Sequence, residues 1–388
     1  MMIFLVLRIL GGVIAGIALS ASVFAQSNSE PRKPYAVINP ANVGYAGPDR
    51  VPRRDLKGPE IRIGLLVPLK GPRKVEGEAL IVAARLALED RTHQQGGGGL
   101  SLAVGDESES WGRASSEVAR LVFDEQAAAV VTSAEGSSTH LAEQVGNRIG
   151  VPVVTLATDS TTTQINLPWI FRLAPDDRLQ AEAFARAIYS ERRYRNVVLA
   201  VERDHDGLLG AAEFERASSR WGAAAPGRVE LDSVSFDLPR TLAAIQSHRP
   251  EAVVLWAGPA VAYQLLPALQ GGDGPLSVFL CLKAAVGVRE SRSGVAVWSV
   301  CRRGTSAAAR TSFVSRFEAL TGHAPTLEAE ASFDAVNLIA SALQRAGPNR
   351  ARLRDQLAKV SGWAGVSGEV SFDGAGNNLA PIELVPLR

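Results

Sequence analysis

The feature that most restricts the fold is a regular alternation of two kinds of segment from residue 60 onward. Short apolar runs such as "IRIGLLV" (61–67) alternate with longer segments whose apolar residues recur at helical spacing, such as "EGEALIVAARLALEDRTHQQ" (76–95). Apolar runs of this length fit buried strands. Strands separated by helices must pair in parallel, with helices covering both faces of the sheet. The sequence therefore predicts an α/β fold.

The alternation forms two successive sets. Apolar runs predict strands at "LSLAV", "AAAVVT", "VPVVTLA", "WIFRL", "NVVLAV", "RVELDSVSF", "EAVVLWAG", "PLSVFLCL" and "GVAVWSV". Helical spacing predicts helices near residues 114–126, 138–148, 178–192, 208–221, 239–247, 307–321, 328–346 and 350–360. Two sets of this kind predict two doubly wound lobes.

The N-terminus predicts export. Residues 1–25 form an apolar leader that ends in small side chains, and the best cleavage position lies between Ala25 and Gln26. We therefore interpret residues 1–25 as a signal peptide, with an uncleaved anchor as the alternative. Residues 26–59 are rich in proline and lack periodicity, which is typical of a linker or an extended arm. No later apolar run is long enough to span a bilayer.

Composition excludes several classes of function. The chain has 41 Lys and Arg against 40 Asp and Glu, so it lacks the basic excess that a nucleic-acid partner requires. Cys281 and Cys301 can form a disulfide or remain two thiols, and two cysteines without a histidine cluster make no structural zinc site. The five histidines stand in unrelated sequence contexts. We therefore expect no metal site, no cofactor and no catalytic activity.

Small polar residues follow the strand predicted at "AAAVVT". In "VVTSAEGSSTH" (130–140), Gly136, Ser137 and Ser138 stand where the next helix begins. Hydroxyl side chains at such a place often cap the helix. Backbone N–H groups at a helix start can also bind an anionic ligand group. Both interpretations fit this segment.

Several segments in order resemble the leucine/isoleucine/valine-binding family, the type I periplasmic solute-binding proteins of ABC importers. These segments are "IRIGLLVPLKGP" followed by Gly77, "GSSTHLAEQVGNRIGVPVVTLATDSTTT", "NVVLAVERDHDGLLGAAEF" and "GEVSFDGAGNN". The resemblance implies two lobes joined by three crossings, near 169–175, 300–306 and 346–350. It assigns residues 60–170 plus 305–346 to lobe 1 and residues 171–304 plus 347–388 to lobe 2.

The resemblance also implies a binding site between the lobes, because ligands of open α/β sheets lie beyond the carboxyl ends of the strands. It implies that the turn at Gly136 binds a carboxylate. The site residues that it implies are Glu76, Gly136, Ser137, Ser138, Ala157, Thr158 and Asp159 from lobe 1, and Asp206, Trp256 and Lys283 from lobe 2, with His205 beside them.

Two positions depart from the family pattern. Glu76 stands where the family often has an aromatic residue, and Lys283 stands near the place of an acidic residue that binds the ammonium group of amino acids. Asp159 or Asp206 can replace that acid, or the solute is not an amino acid. Trp256 and Lys283 also have structural interpretations, as a buried aromatic residue and a solvated helix start.

The function expected from this resemblance is solute binding for an ABC importer in the periplasm. The expected partners are a small polar solute, such as an amino acid or a related carboxylate or amide, and a permease in the inner membrane. We expect a monomer that binds no nucleic acid. An exported ligand sensor or partner-binding module on the same fold is one alternative, because a fold does not fix a function. A hydrolase that uses Ser137 and His140 is another, although no G-x-S-x-G or H-E-x-x-H motif is present.

Overall fold

A computed structural model describes residues 55–58, 60–95, 99–108, 113–164, 168–271, 275–286, 288, 295–302 and 306–387. The expected signal peptide, and residues 26–54 and 59 of the expected arm, lie outside the described residues. Most of the described chain is organised around two sheets, one of five strands and one of six. The α/β architecture predicted from the alternation is confirmed.

The elements are numbered in chain order. The strands are β1 (Glu60–Val67), β2 (Gly99–Asp106), β3 (Ala129–Thr132), β4 (Val153–Thr155), β5 (Ile170–Arg172), β6 (Val197–Glu202), β7 (Gly227–Leu231), β8 (Ala252–Trp256), β9 (Leu276–Leu280), β10 (Val295–Arg302), β11 (Trp363–Ala364), β12 (Glu369–Val370) and β13 (Ile382–Pro386). The helices are α1 (Lys74–Gln95), α2 (Arg113–Phe123), α3 (Gly136–Ile149), α4 (Asp177–Ala185), α5 (His205–Arg220), α6 (Leu238–Ser247), α7 (Pro259–Gln270), α8 (Leu282–Ala285), α9 (Ala307–Thr321), α10 (Leu327–Ala346) and α11 (Arg350–Leu357). Short 3-10 turns lie at Gly71–Arg73 and Ser160–Thr163, and a π-helical turn (Arg186–Glu191) continues α4.

The first sheet has the order β2-β1-β3-β4-β5, and its strands are parallel. Its strands β3, β4 and β5 are fully buried, which explains why they read as unbroken apolar runs. Helices α1 and α10 pack together on one face. Helix α10 has a defined start and a defined end. At its start Thr326 accepts a hydrogen bond from the Ala329 N–H, and at its end Gly347 adopts a φ of 66°.

The second sheet has the order β13-β10-β9-β8-β6-β7. Strands β6 to β10 pair in parallel, whereas β13 runs antiparallel to β10. Phe184, Phe214 and Phe279 belong to the core of this sheet. We refer to the two sheets with their helices as the first and second lobes.

The chain passes between the lobes three times. It leaves β5 at Arg172 for α4, and it leaves β10 at Arg302 for α9. The third passage lies just before β13, because the Arg172 N–H donates to the Gly376 carbonyl in the first lobe and Ile382 packs in the second.

The third passage corrects the expected lobe boundaries. Residues 347–388 were expected in the second lobe, with a crossing near 346–350. Leu353 and Leu357 of α11 instead pack in the core of the first lobe, as do Val366 and Val370. Only the last strand, β13, joins the second sheet. The apolar face of a short helix shows that it is buried but not which sheet it covers, so the sequence pattern left this position open.

Three smaller observations complete the fold. Asp55, near the end of the expected arm, forms an ion pair with Arg352 at 2.9 Å, so this end of the arm lies on the first lobe. Both cysteines are free thiols, with Cys281 buried and Cys301 half-buried. Among the described helices, none combines the length and the apolar character needed to cross a membrane.

Candidate functional site

The first residues of three helices and of one 3-10 turn meet where the two lobes touch. Helix α3 begins after β3, and the Ser160–Thr163 turn begins after β4. From the second lobe, α5 begins after β6 and α8 begins after β9. All four follow the carboxyl ends of parallel strands, so the topology brings their first residues to one cleft.

A contact between the starts of α3 and α5 joins Gly136 and Asp206. The Gly136 N–H, at the start of α3, donates a hydrogen bond of 3.3 Å to Asp206 Oδ2 in α5. A Cβ atom on residue 136 would lie 2.4 Å from Asp206 Oδ1 and 3.0 Å from the Asp159 side chain, so only glycine allows this distance. The carboxylate that meets the N-terminus of α3 therefore belongs to the chain itself.

Lys283 is the positive centre of the contact. Its Nζ lies 2.8 Å from Asp206 Oδ2, 3.3 Å from Asp204 Oδ2 and 3.4 Å from Glu135 Oε2. Its side chain is mostly buried, with 12% exposed. Because Glu135 belongs to the first lobe and Lys283 to the second, this ion pair also joins the lobes.

The surrounding charges outweigh burial and favour the ionised forms of Lys283 and Glu135 but not that of Asp206. Burial alone would lower the pKa of Lys283, but the charges of Asp206, Glu135 and Asp204 outweigh it and raise the pKa well above its usual value. Burial would raise the pKa of Glu135, but Lys283 and Arg73 outweigh it and lower the pKa. For Asp206 burial dominates, so its pKa is raised.

A second cation extends this network within the first lobe. Arg73 contacts Glu76 at 2.5 Å, Glu135 at 2.8 Å and Glu107 at 3.6 Å. Glu107 is fully buried, and burial raises its pKa to about 8 despite the opposing charge of Arg73. Glu76 thus lies beside the cleft through its pairing with Arg73.

A histidine–carboxylate cluster lies beside these ion pairs. Nε2 of His140 is 3.0 Å from Asp159 Oδ2, and Nε2 of His205 is 2.9 Å from the same oxygen. Nδ1 of His140 contacts Glu143 Oε1 at 2.7 Å. Hydrogen bonds to Asp159 and Glu143 raise the pKa of His140 to about 10. Asp159 has a pKa below its usual value, since hydrogen bonds from His140 and other neighbours outweigh its burial.

The histidines stand in unrelated sequence contexts, but the fold brings two of them, His140 and His205, together at Asp159. His140, Asp159 and His205 offer metal-ligating atoms that all lie within 4.8 Å of one another. They are distant in sequence, so no ligand spacing revealed them. The contacts of Ser137 and His140 also argue against the alternative of a hydrolase that uses these two residues together. Ser137 Oγ donates to Glu135 Oε1 at 3.2 Å, while both His140 ring nitrogens face other groups.

A small cavity of about 60 Å³, partly open to solvent, adjoins the charged groups. Its wall is mainly apolar, which suits a small organic ligand. The first lobe contributes Ala134, Leu156, Thr158, Leu173, Leu327, Glu328 and Ala331, and the second contributes Leu282, Lys283, Val286, Val300, Cys301 and Arg302. Glu328 accepts a hydrogen bond from the Ala134 N–H, and burial raises its pKa well above the usual value.

The predicted site residues divide into groups. Thr158 and Lys283 line the cavity. Gly136, Asp159 and Asp206 form contacts between the lobes. Ser137 contacts Glu135 within the ion-pair network, while Ser138 and Ala157 are buried next to these groups in sequence.

Trp256 is corrected from a ligand-facing residue to a core residue. Only 2% of it is exposed, and its ring packs against Phe184 at a centroid distance of 5.9 Å in the second lobe. Gly210 of α5 lies so close that a Cβ there would come within 1.7 Å of Trp256 Nε1. A strand end can direct its side chain to the core or to the cleft, and here it faces the core.

The sequence interpretation missed other cleft residues. Arg73, Glu135 and Glu328 were not predicted, and His140 was considered only as the partner of Ser137 in a hydrolase, although each takes part in the network or the cavity. Glu135 directly precedes the turn at Gly136, and this adjacency was the one available signal. Glu328 lies on a helix nearly two hundred residues later in the chain, and only the fold brings it to Ala134.

Comparison with known proteins identifies the family. A sequence model of the family described as periplasmic binding protein matches residues 60–381, which is most of the chain. The chain belongs to the periplasmic binding protein family. No protein with a curated description matches this periplasmic binding protein significantly in sequence.

Solved structures similar to this periplasmic binding protein show the same fold. A leucine-binding protein, LivK, of Thermotoga maritima has a TM-score of 0.71 at 19% identity, over 84% of this chain and 94% of that one. LivJ of Streptococcus pneumoniae, in complex with isoleucine, has a TM-score of 0.70 at 20% identity, over 84% and 99% of the two chains. A solute-binding protein of an ABC transporter from R. palustris, in complex with benzoate, has a TM-score of 0.74 at 18% identity, over 85% and 93%.

Proposed function

We propose that this periplasmic binding protein is the solute-binding component of an ABC importer. It binds a small carboxylate with an apolar body, such as an apolar amino acid or an aromatic acid, and has no catalytic activity. The observation that carries this proposal is the apolar cavity between the lobes, to which both lobes contribute wall residues, the buried cation Lys283 among them. We further propose that the protein acts in the periplasm as a monomer and delivers its solute to an inner-membrane permease.

The chemistry of the wall supports this class of solute. Leu156, Leu173 and Val300 supply apolar surface, while Thr158 and Lys283 supply polar groups. Burial of apolar ligand surface contributes about 25 cal/mol per Å². A charge-assisted hydrogen bond from Lys283 then orients the carboxylate. Isoleucine and benzoate, the ligands named for two similar structures, both combine a carboxylate with an apolar body.

The turn at Gly136 adjoins the cation. Asp206 Oδ2 lies 2.8 Å from Lys283 Nζ and 3.3 Å from the Gly136 nitrogen, so one carboxylate contacts both groups. We propose that a solute carboxylate competes with Asp206 for these donors, with Ser137 and Ser138 at the same turn. Because the solute would then contact both lobes, its binding favours the arrangement in which they touch.

A thermal-shift screen tests the proposal. Leucine, isoleucine, benzoate, short carboxylates and the corresponding amides are added separately to the purified mature chain. A solute that binds only the folded protein stabilises it by about 2.7 kcal/mol at a hundredfold excess over its Kd. We expect carboxylates to raise the Tm and their amides to raise it less. No shift with any carboxylate would contradict the proposal.

Calorimetric titration of the best solute then locates the carboxylate. We expect Lys283→Gln and Ser137→Ala each to weaken binding at least about tenfold, since a hydrogen bond to a charged group contributes about 1.5–3 kcal/mol. Lys359→Gln, at an exposed lysine of the first lobe, is the matched control and keeps the wild-type Kd. Unchanged solute affinity in Ser137→Ala alone would mean that the turn at Gly136 only begins α3 and does not bind the solute.

A further inference from the structure

The cluster of His140, Asp159 and His205 has the composition and arrangement of a metal site. The three side chains come from α3, the turn after β4 and the first residue of α5. The two imidazole Nε2 atoms lie 3.0 and 2.9 Å from the same carboxylate oxygen, Asp159 Oδ2. In a tetrahedral Zn²⁺ site with bonds of about 2.0–2.2 Å, neighbouring ligand atoms are about 3.3–3.6 Å apart. The two Nε2–Oδ2 distances are a few tenths of an ångström shorter than this, and the three ligating atoms all lie within 4.8 Å of one another, so binding an ion requires the side chains to shift.

Neighbouring groups orient these ligands. His140 Nδ1 lies 2.7 Å from Glu143 Oε1, so the ring can donate its Nδ1–H there and present Nε2 to an ion. Glu143 is 2% exposed, and its second oxygen is buried without a hydrogen-bond partner among the described residues. A buried carboxylate behind a histidine is the arrangement by which proteins orient metal-binding imidazoles.

The carboxylate of Asp159 is oriented as well. Its Oδ1 accepts hydrogen bonds from the Thr161 N–H at 2.7 Å and the Thr161 hydroxyl at 2.6 Å. Oδ2 is the oxygen that faces both histidines. One oxygen is thus held by the turn, and the other is presented to the cluster.

The cluster also has an open side. The Asp159 side chain is fully buried, but 24% of the His140 side chain and 43% of the His205 side chain are exposed. An ion can therefore enter from solvent and complete its coordination with water. Three protein ligands plus water is the arrangement of open zinc sites. Two imidazoles and one carboxylate favour Zn²⁺ and related transition metals over Mg²⁺ and Ca²⁺, which prefer oxygen ligands.

We propose that His140, Asp159 and His205 bind one divalent transition-metal ion and that this ion joins the two lobes. Zn²⁺ is the ion with which the site is tested. His140 and Asp159 belong to the first lobe and His205 to the second. The complete ligand set therefore exists only where the lobes touch, and the ion stabilises that arrangement. The proposal does not rest on the proposed function, because it requires no solute.

Calorimetric titration of the metal-free mature chain tests the site. The chain is treated with EDTA, dialysed and titrated with ZnCl₂ and, separately, with MgCl₂. We expect saturable binding of a single Zn²⁺ per chain and no comparable binding of Mg²⁺. We expect His140→Gln and His205→Gln each to weaken Zn²⁺ binding by more than about tenfold, and Glu143→Gln by about 10–100-fold.

His248→Gln is the matched control, because His248 is an exposed histidine of the second lobe outside the cluster. It keeps the wild-type Zn²⁺ affinity. Absence of saturable Zn²⁺ binding to the wild type overturns the proposal. So does wild-type affinity in both His140→Gln and His205→Gln, which would mean an adventitious surface ion only.

Circular dichroism in EDTA establishes whether each variant folds. If a variant does not fold, the wild-type chain is titrated with Co²⁺ and its visible absorption is recorded. Ligand-field bands that saturate at one equivalent and disappear on addition of Zn²⁺ support the site. Their absence overturns it.

Discussion

At the scale of single residues, Trp256 shows how strand-end residues divide between cleft and core. It follows an apolar run just as the turn at Gly136 does, yet its ring is buried against Phe184 and α5. Its indole occupies volume that no neighbour can fill, because the core around it is closely packed. We therefore assign Trp256 to the stability of the second lobe.

Trp256→Ala measures this role. We expect a loss of about 3–5 kcal/mol in the free energy of unfolding, because truncation leaves a large cavity. Urea unfolding followed by circular dichroism is the measurement. Trp221→Ala is the control, since Trp221 is 41% exposed; we expect a change within about 0.5 kcal/mol. Equal, small losses in both variants would contradict the core assignment.

Lys283 illustrates a buried charge whose neighbours offset the cost of desolvation. Three carboxylates surround it, and its pKa is raised despite burial. Removing one partner of such a group leaves the remaining charges buried and unpaired. The free-energy cost of these unpaired charges exceeds the stabilisation that the ion pair itself provides. Lys283→Gln therefore changes the charge of the whole contact, and its solute affinity must be compared with its unfolding free energy.

At the scale of elements, the start of α3 controls how closely the lobes approach. The lack of a Cβ at Gly136 lets Asp206 of α5 reach the backbone N–H. The Asp206 side chain has little freedom to withdraw, because Lys283 holds it at 2.8 Å. A methyl group at residue 136 must therefore separate the two helix starts.

Gly136→Ala tests this contact. We expect a more open protein, with a larger radius of gyration in small-angle scattering than the wild type, because the new Cβ would lie 2.4 Å from Asp206 Oδ1. Gly271→Ala, at the end of α7, is the matched control, since its nearest atoms lie 3.7 Å away at ordinary contact distance. An unchanged radius of gyration in Gly136→Ala would show that the helix starts tolerate a side chain.

At the scale of the whole molecule, buried carboxyl groups make stability depend on pH. Burial raises the pKa of Glu107 from 4.5 to about 8 in the folded chain. Between these values the folded chain holds a proton that the unfolded chain has released. The contribution of Glu107 to the free energy of unfolding is therefore complete below pH 4.5 and is lost as the pH rises towards about 8.

Glu107→Gln removes this dependence because glutamine does not ionise. Urea unfolding at a series of pH values should give a free energy of unfolding that falls less steeply for the variant than for the wild type between pH 4.5 and about 8. Glu318→Gln, at an exposed residue of α9, is the control and should follow the wild-type slope. Parallel curves for Glu107→Gln and the wild type would contradict the raised pKa.

The sequence by itself determined the fold class and most elements. Buried parallel strands such as β6 read as unbroken apolar runs, and helices such as α2 repeat their apolar residues along one face, so both are local signals. The turn at Gly136 was also predicted, because strand-end placement follows from the alternation. These features depend on neighbours within about a dozen residues along the chain.

Only the tertiary structure decided which distant groups meet. The sequence pattern did not show that α11 covers the first sheet, that Trp256 faces the core, or that Glu328 lies beside Ala134. Nor did it show that His205 meets His140 and Asp159. Each of these contacts joins residues far apart in sequence, and the packing of whole lobes fixes them. Local periodicity records that a side chain is buried, but the fold alone determines what it is buried against.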